Sequence, residues 1–475
     1  MAPSRQHPTP RDLAQVIEGL LLGCAIIILT SLLVSEIDES ASLNLGLASI
    51  NLGNTAALLA YWYVALRGRA PGSCFGVILL FSLAIFRIIS VGGLIAFGAS
   101  MEWWPPTVTY PERVLEVYSQ GEALTSIGAL LLVATWQIVT GRDLHAVGLA
   151  MPVACSSTDK PIAMYLIAIV AEGSRRLLGF DFGALQQIFS IASLLGVASI
   201  YYLSASRSTF AHKILSSVAL AIPLVAVGLG SGMKEAVLFP LLPATFLAWT
   251  EAKVQLRIAI AVAGVLLLMI LQAYVGYVRN ISWDSETEYR TSELLDGFRK
   301  GFGEVDFSNI ARDLSMRLNL STAHAITVQI YNEQGYFPDE VLLAIPASFV
   351  PRLLWPEKPV LQPGALHTAR ILGVPSERVD EMTSATAPGF FVELYLGAGW
   401  ASVVGGSLLY GFAFAKLQQA SARKSDPYWA KSLIFLAAFW AIRFDENHVA
   451  YAFTGLFFFY VFMSLVSKIK STKHL

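Results

Sequence analysis

Runs of about twenty apolar residues recur along this chain, and nothing constrains its fold more. A hydrocarbon layer roughly 30 Å thick is crossed by a helix of about that length, because only a helix satisfies all its backbone hydrogen bonds internally. Such runs fall at 16–35, 43–66, 75–98, 122–140, 161–178, 184–204, 213–230, 235–251, 257–278, 389–416, 429–443 and 449–467. Composition agrees, since 55% of the 475 residues are apolar and only 14% are charged, far from the average of a soluble domain. The expected class is an all-α polytopic membrane protein with about 12 transmembrane helices. The first run reads as a span and not as a cleaved signal peptide, because no small-residue cleavage site follows it and the next run turns straight back.

A net charge of −1 gives no electrostatic case for nucleic acid, so the cations matter by position. With the N-terminus inside, the inner loops and termini carry seventeen Lys and Arg and the short outer loops five. The excess of inner positive charge sets the expected orientation, with both termini cytoplasmic. The three cysteines, Cys24, Cys74 and Cys155, lack metal spacing and read as packing residues. The acidic turn "EIDES" between the first two runs has no histidine beside it and reads as a solvated turn, so no metal is expected. Arg87 lies deep in the third run and is expected to face a cavity or a carboxylate.

The chain divides on this reading into spans one to nine (1–278), a large external segment with short helices (279–388), and spans ten to twelve (389–475). An external segment that long is usually functional or independently folded. Within it an apolar period through Ile310, Leu314, Leu318 and Ala325 predicts a helix over 309–332. Asp313, Arg317 and His324 fall on one face of that helix, since steps of four and seven return to the same side. Then comes "PRLLWPEKP", 351–359, whose prolines exclude a regular helix. Trp355 is the residue type found at headgroup depth, with Arg352 and Lys358 beside it; the plainer reading is an interfacial anchor loop. Glu393 lies about one turn inside the tenth run, where a carboxylate needs a partner, and a loop cation is the expected one. The glycines that follow allow close helix packing.

In order, these features resemble the Wzy-type polymerases of bacterial O-antigen and related polysaccharides, over roughly residues 228 to 411. The resemblance rests on a helix carrying Arg317 in a late external loop, the "P-R-x-x-W-P-x-K-P" stretch, Thr383 and Ser384, and a "G-x-x-x-E-x-Y-x-x-x-G" run formed by Gly389, Glu393, Tyr395 and Gly399. Lys234 stands where such proteins commonly have arginine. The resemblance implies a GT-C-like, metal-independent, cofactor-free inverting glycosyltransferase in the bacterial inner membrane with its active site facing the periplasm. It would move a growing glycan from undecaprenyl diphosphate to a lipid-linked repeat unit, alongside a flippase and a chain-length regulator. A lipid diphosphate leaving group calls for cations at the outer surface, and Arg317, Arg352, Lys358, Lys234, Arg175, Arg176 and Arg443 are the candidates. The acceptor hydroxyl calls for a base, for which His324 stands first, before Glu393 and His367. His448 reads as solvated or locally paired. Competing readings are an O-antigen ligase of the same superfamily and a lipid-linked-sugar flippase or secondary transporter.

Overall fold

The computed structural model describes residues 10–37, 39–66, 75–98, 104–140 except 106, 159–177, 186–229, 234–251, most of 253–271, 312, 321–350, 355, 363–375, 379, 388–422, 427–443 and 448–466. Among these residues every regular element is helical. In order they are α1 (Pro10–Ser35), α2 (Glu39–Tyr61) with a π-helical end at Trp62–Leu66, α3 (Phe75–Phe97), α4 (Val114–Thr140), α5 (Asp159–Leu177), α6 (Gln186–Ala205), α7 (Phe210–Leu229), α8 (Lys234–Leu238) and α9 (Leu242–Glu251). Then follow α10 (Ser321–Gln334), α11 (Pro338–Val341), α12 (Ala344–Phe349), α13 (Pro363–Leu372), α14 (Phe390–Ala422), α15 (Pro427–Arg443) and α16 (Val449–Val466).

Seven of these helices are long and apolar enough to cross a membrane: α1, α2 with its π-helical end, α3, α4, α7, α14 and α16. Their outer faces fit a lipid solvent. Leu33 of α1 is 63% exposed and Leu215 of α7 is 68% exposed, a pattern that water would penalise and hydrocarbon does not. The protein is therefore an all-helical membrane protein. Helices also occupy the expected runs near 161–178, 184–204, 235–251 and 429–443, but they fall short of the others in length or hydropathy.

The chain forms two compact units: Met1–Leu149 with Ser315–Lys424 and Leu436–Val461, and Ala150–Leu314 with Ser425–Phe435 and Phe462–Leu475. In the first, α4 is the central helix, packed by α1, α2, α3, α10 and α14. Small residues permit the closest approach. A Cβ at Gly128 of α4 would lie 2.2 Å from Phe391, and one at Gly411 of α14 would lie 2.4 Å from the carbonyl oxygen of Leu132. The glycines of α14 divide in their use, because Gly405 has nothing within 4 Å.

α14 is broken. Ala398 and Gly399 leave helical geometry, Gly399 with φ 65° and ψ −150°, so the expected single span starting at 389 has a separate first segment, 390–397. The groups freed by the break find partners, as backbone in a membrane must. The Phe337 amide donates to the Leu396 carbonyl at 2.7 Å, and the Ser402 hydroxyl donates to the carbonyls of Leu394 and Gly399 while accepting from the Ala398 amide. In the second unit α5 packs on α6 and α6 on α7. Glu172 of α5 accepts a hydrogen bond from Ser193 at 2.5 Å, and Tyr165 donates to the Leu220 carbonyl at 2.7 Å.

Candidate functional site

α10 is the element on which the site is built. It was expected over 309–332 in an external loop; its described part runs Ser321–Gln334 and lies against α4 and α14. The apolar positions Ala325, Val328 and Ile330 are fully buried, and they carry His324 and Thr327 inward with them. A glycine makes the approach possible. A Cβ at Gly121 of α4 would come within 2.9 Å of the His324 Cβ and 3.1 Å of its carbonyl carbon.

One residue further along α4, Glu122 meets the histidine. His324 Nδ1 is 3.0 Å from Glu122 Oε1, and Arg87 Nε of α3 is 2.6 Å from Glu122 Oε2. All three side chains are almost completely buried. The expectation that Arg87 faces a carboxylate is met, by Glu122. Beside this cluster Ser321 donates to Asn51 Oδ1 of α2 at 3.3 Å, and Tyr118 of α4 donates to Thr322 at 2.7 Å. Buried charges in a membrane interior are tolerated where they pair in this way, and they mark functional positions by default.

His367, on α13, reaches the same helix. Its Nε2 is 3.4 Å from the Thr327 hydroxyl, which itself donates to the Ala323 carbonyl at 2.8 Å. The hydroxyl hydrogen is thus engaged, and Nε2–H donates to the Thr327 oxygen. Nδ1 has no hydrogen-bond partner among the described residues. Burial first, then the positive charge of His448 and Arg370 nearby, hold the imidazole down to about 3, so it is neutral. Arg370 itself pairs with Glu340 of α11 and lies 3.8 Å over the Phe337 ring.

Glu393 has a different partner from the one expected. No loop cation is bonded to it among the described residues; its Oε1 accepts from His448 Nδ1 at 3.1 Å, and its Oε2 accepts from the Val449 amide at 2.6 Å. It therefore caps the first turn of α16. His448 is 7% exposed and pairs with a residue 55 positions away, where a solvated or local role was expected. The other residues of the Gly389–Gly399 run have packing roles. Tyr395 accepts from Gln120 at 2.8 Å and stacks edgewise on Tyr331, and Gly399 makes the break in α14.

Of the expected site residues, His324, His367 and Glu393 are all described, and all lie in the first unit. His324 belongs to α10, and His367 reaches the same helix at Thr327, three residues further on; Glu393 is joined to His448. Arg317, Arg352 and Lys358 lie outside the described residues, and of Arg175, Arg176, Lys234 and Arg443 only the backbone, in α5, α8 and α15, is described. The structure adds Glu122 and Thr327 to the candidate site and gives His448 a buried carboxylate partner. Glu122 carries a usable signal, a carboxylate inside an apolar run, but a run counted from 122 sets the residue at a membrane edge.

No curated protein and no solved structure matches the chain. A family model described as a domain of unknown function (DUF8712) matches residues 154–475, a region that holds His324, His367, Glu393 and His448 but not Arg87 or Glu122. As that match covers about two thirds of the sequence, the chain belongs to the DUF8712 family.

Proposed function

We propose that this protein is a polysaccharide polymerase, a GT-C-like inverting glycosyltransferase of about twelve spans in the bacterial inner membrane that acts on its outer face. The observation that carries the reading is His324. It is a buried histidine with a carboxylate on one ring nitrogen and no partner on the other among the described residues, which is the arrangement a general base requires. The order of motifs from Arg317 to Gly399 supports the same class.

On this reading the acceptor hydroxyl of a lipid-linked repeat unit attacks the anomeric carbon of the growing glycan. The bond from that carbon to the undecaprenyl diphosphate oxygen breaks, the diphosphate leaves with the electron pair, and the hydroxyl proton passes to His324 Nε2. Arg317, Arg352 and Lys358 would meet the diphosphate. Because His324 is 1% exposed, a hydroxyl reaches Nε2 only if the packing on that side of the ring opens while the contact with Glu122 is kept.

A second reading draws on the same cluster. Ionisable residues paired inside a helical bundle also serve proton-coupled carriers, so Arg87, Glu122 and His324 favour a lipid-linked-sugar flippase or transporter as the alternative. Deletion in the native host separates the two. A polymerase leaves surface glycan with one repeat unit and no ladder, a flippase leaves none, and free lipid-linked polymer marks a ligase. In the purified protein, His324→Ala and His324→Gln should both abolish extension of an undecaprenyl-diphosphate repeat unit, since an amide accepts no proton at neutral pH. Wild-type extension by either variant overturns the assignment of the base.

A further inference from the structure

A carboxylate offers only acceptors, so the contact between Glu122 Oε1 and His324 Nδ1 at 3.0 Å places the ring hydrogen on Nδ1. The lone pair of the neutral ring is then on Nε2, the nitrogen without a partner among the described residues. Glu122 would be free to turn if nothing held its second oxygen. Arg87 holds it, with Nε 2.6 Å from Oε2. The guanidinium is fixed in its turn, because Nη1 donates at 3.1 Å to the Leu83 carbonyl one turn earlier on α3. Arg87 Nε and Nη2 make no aligned hydrogen bond, so its hold on Glu122 is mainly one of charge.

We infer that Arg87 and Glu122 are positioning residues that fix His324 as the Nδ1–H tautomer and present Nε2 as the accepting atom. The inference deepens the proposed function and rests on His324 being its base, although the tautomer itself can be measured without any activity. Glu122 is a poor candidate for the base, since one of its oxygens accepts from His324 and the other is ion-paired with the buried Arg87 guanidinium. Arg87 is a poor candidate for a diphosphate ligand, since it is 3% exposed and its charge is matched by Glu122. When the acceptor O–H gives its proton to Nε2, the ring becomes an imidazolium with Nδ1–H still on Glu122, so no rearrangement is needed at the moment of transfer.

The geometry makes an unusual demand on one variant. In Glu122→Gln the amide NH2 cannot face Arg87, so its carbonyl turns to the guanidinium and its NH2 to His324. Nδ1 must then accept, and the hydrogen moves to Nε2, closing the atom that should receive the proton. The loss should be roughly 10,000-fold in extension rate, the order seen where an orienting carboxylate of a catalytic histidine becomes an amide. Removing the guanidinium as well frees the amide to turn back, so Arg87→Gln/Glu122→Gln should regain at least tenfold over Glu122→Gln alone.

The experiment is nitrogen-15 magnetic resonance of the histidine-labelled full-length protein in lipid bilayers at pH 8, with His324 assigned by its loss in His324→Gln, and extension assays on the same proteins. The expected result is a protonated Nδ1 and bare Nε2 in wild type, the reverse in Glu122→Gln, and a return toward wild type in the double variant. A wild-type Nε2–H tautomer overturns the inference even if no variant folds, as does an unchanged tautomer in Glu122→Gln. If the tautomer reverses and extension stays within threefold of wild type, the positioning stands and His324 is not the base.

Discussion

Single residues in this protein act through what their partners permit, and His367 shows it most directly. It is buried and neutral, with its imidazole held down to about 3 by burial and by the nearby charges of His448 and Arg370. In the unfolded chain the same ring titrates near 6.5. Between those values the unfolded state binds a proton that the folded state refuses, so stability is complete above about 6.5 and falls as pH drops. At pH 5 the loss is about 2 kcal/mol. Thermal unfolding at pH 7.5 and pH 5.0 should therefore show a larger drop for wild type than for His367→Gln, and equal drops would remove His367 as the cause. The neutrality of this ring was not legible in the sequence, because it depends on burial by α13. Nor was the partner of His324. The helical period set His324 beside Arg317, both on one face of one helix, whereas the carboxylate that meets it lies 202 positions earlier, and no local pattern carries a distance of that kind. Arg87 was legible, since an arginine deep in an apolar run must find an anion.

At the scale of elements, periodicity and apolar run length found most of the helices, since both signals are local. They missed the break in α14 for a physical reason: hydropathy continues through Ala398 and Gly399, and only the backbone changes. Gly399 has φ 65° and ψ −150°, a region that is essentially closed to residues with a Cβ and costs on the order of 1–3 kcal/mol to enter. A Cβ there would also lie 2.6 Å from the Tyr336 hydroxyl. Gly399→Ala should lose stability by about 1–3 kcal/mol or more. Adding Tyr336→Ala, which clears the steric contact, should recover only part of it, because the backbone strain remains. Full recovery in the double variant, read by thermal unfolding in detergent, would mean that the tyrosine contact alone requires glycine. The break also explains where Glu393 sits. It belongs to the segment before the kink, so it reaches His448 and the start of α16 instead of continuing along the straight axis that the apolar run implied.

The whole molecule is ordered by which loops share a side of the membrane, and the first unit constrains this without reference to charge. Trp104 and Val108, in the connection from α3 to α4, pack with Ile326 and Ile330 of α10, and the Thr109 amide donates to Glu333 at 2.9 Å. That connection and α10 therefore lie on one face of the first unit. The chain must cross the membrane an even number of times between them. With α4 as one crossing, the proposed topology needs an odd number between 150 and 278, where five apolar runs lie. On the proposed orientation, which rests on seventeen inner Lys and Arg against five outer ones, the α3–α4 connection and α10 would lie outside. Two positions of the first unit test both steps. Tyr336, 52% exposed, follows α10, and Ala422 ends α14, which crosses between them. In a background with Cys24, Cys74 and Cys155 replaced by serine, Tyr336→Cys should react with an impermeant maleimide once the outer membrane alone is opened, and Ala422→Cys only after the inner membrane is opened. The reverse pattern would invert the orientation and place His324 on the cytoplasmic side, where a periplasmic polymerase could not use it. Reaction of both from the same side would mean that α14 does not cross, and the crossing count would fail with it.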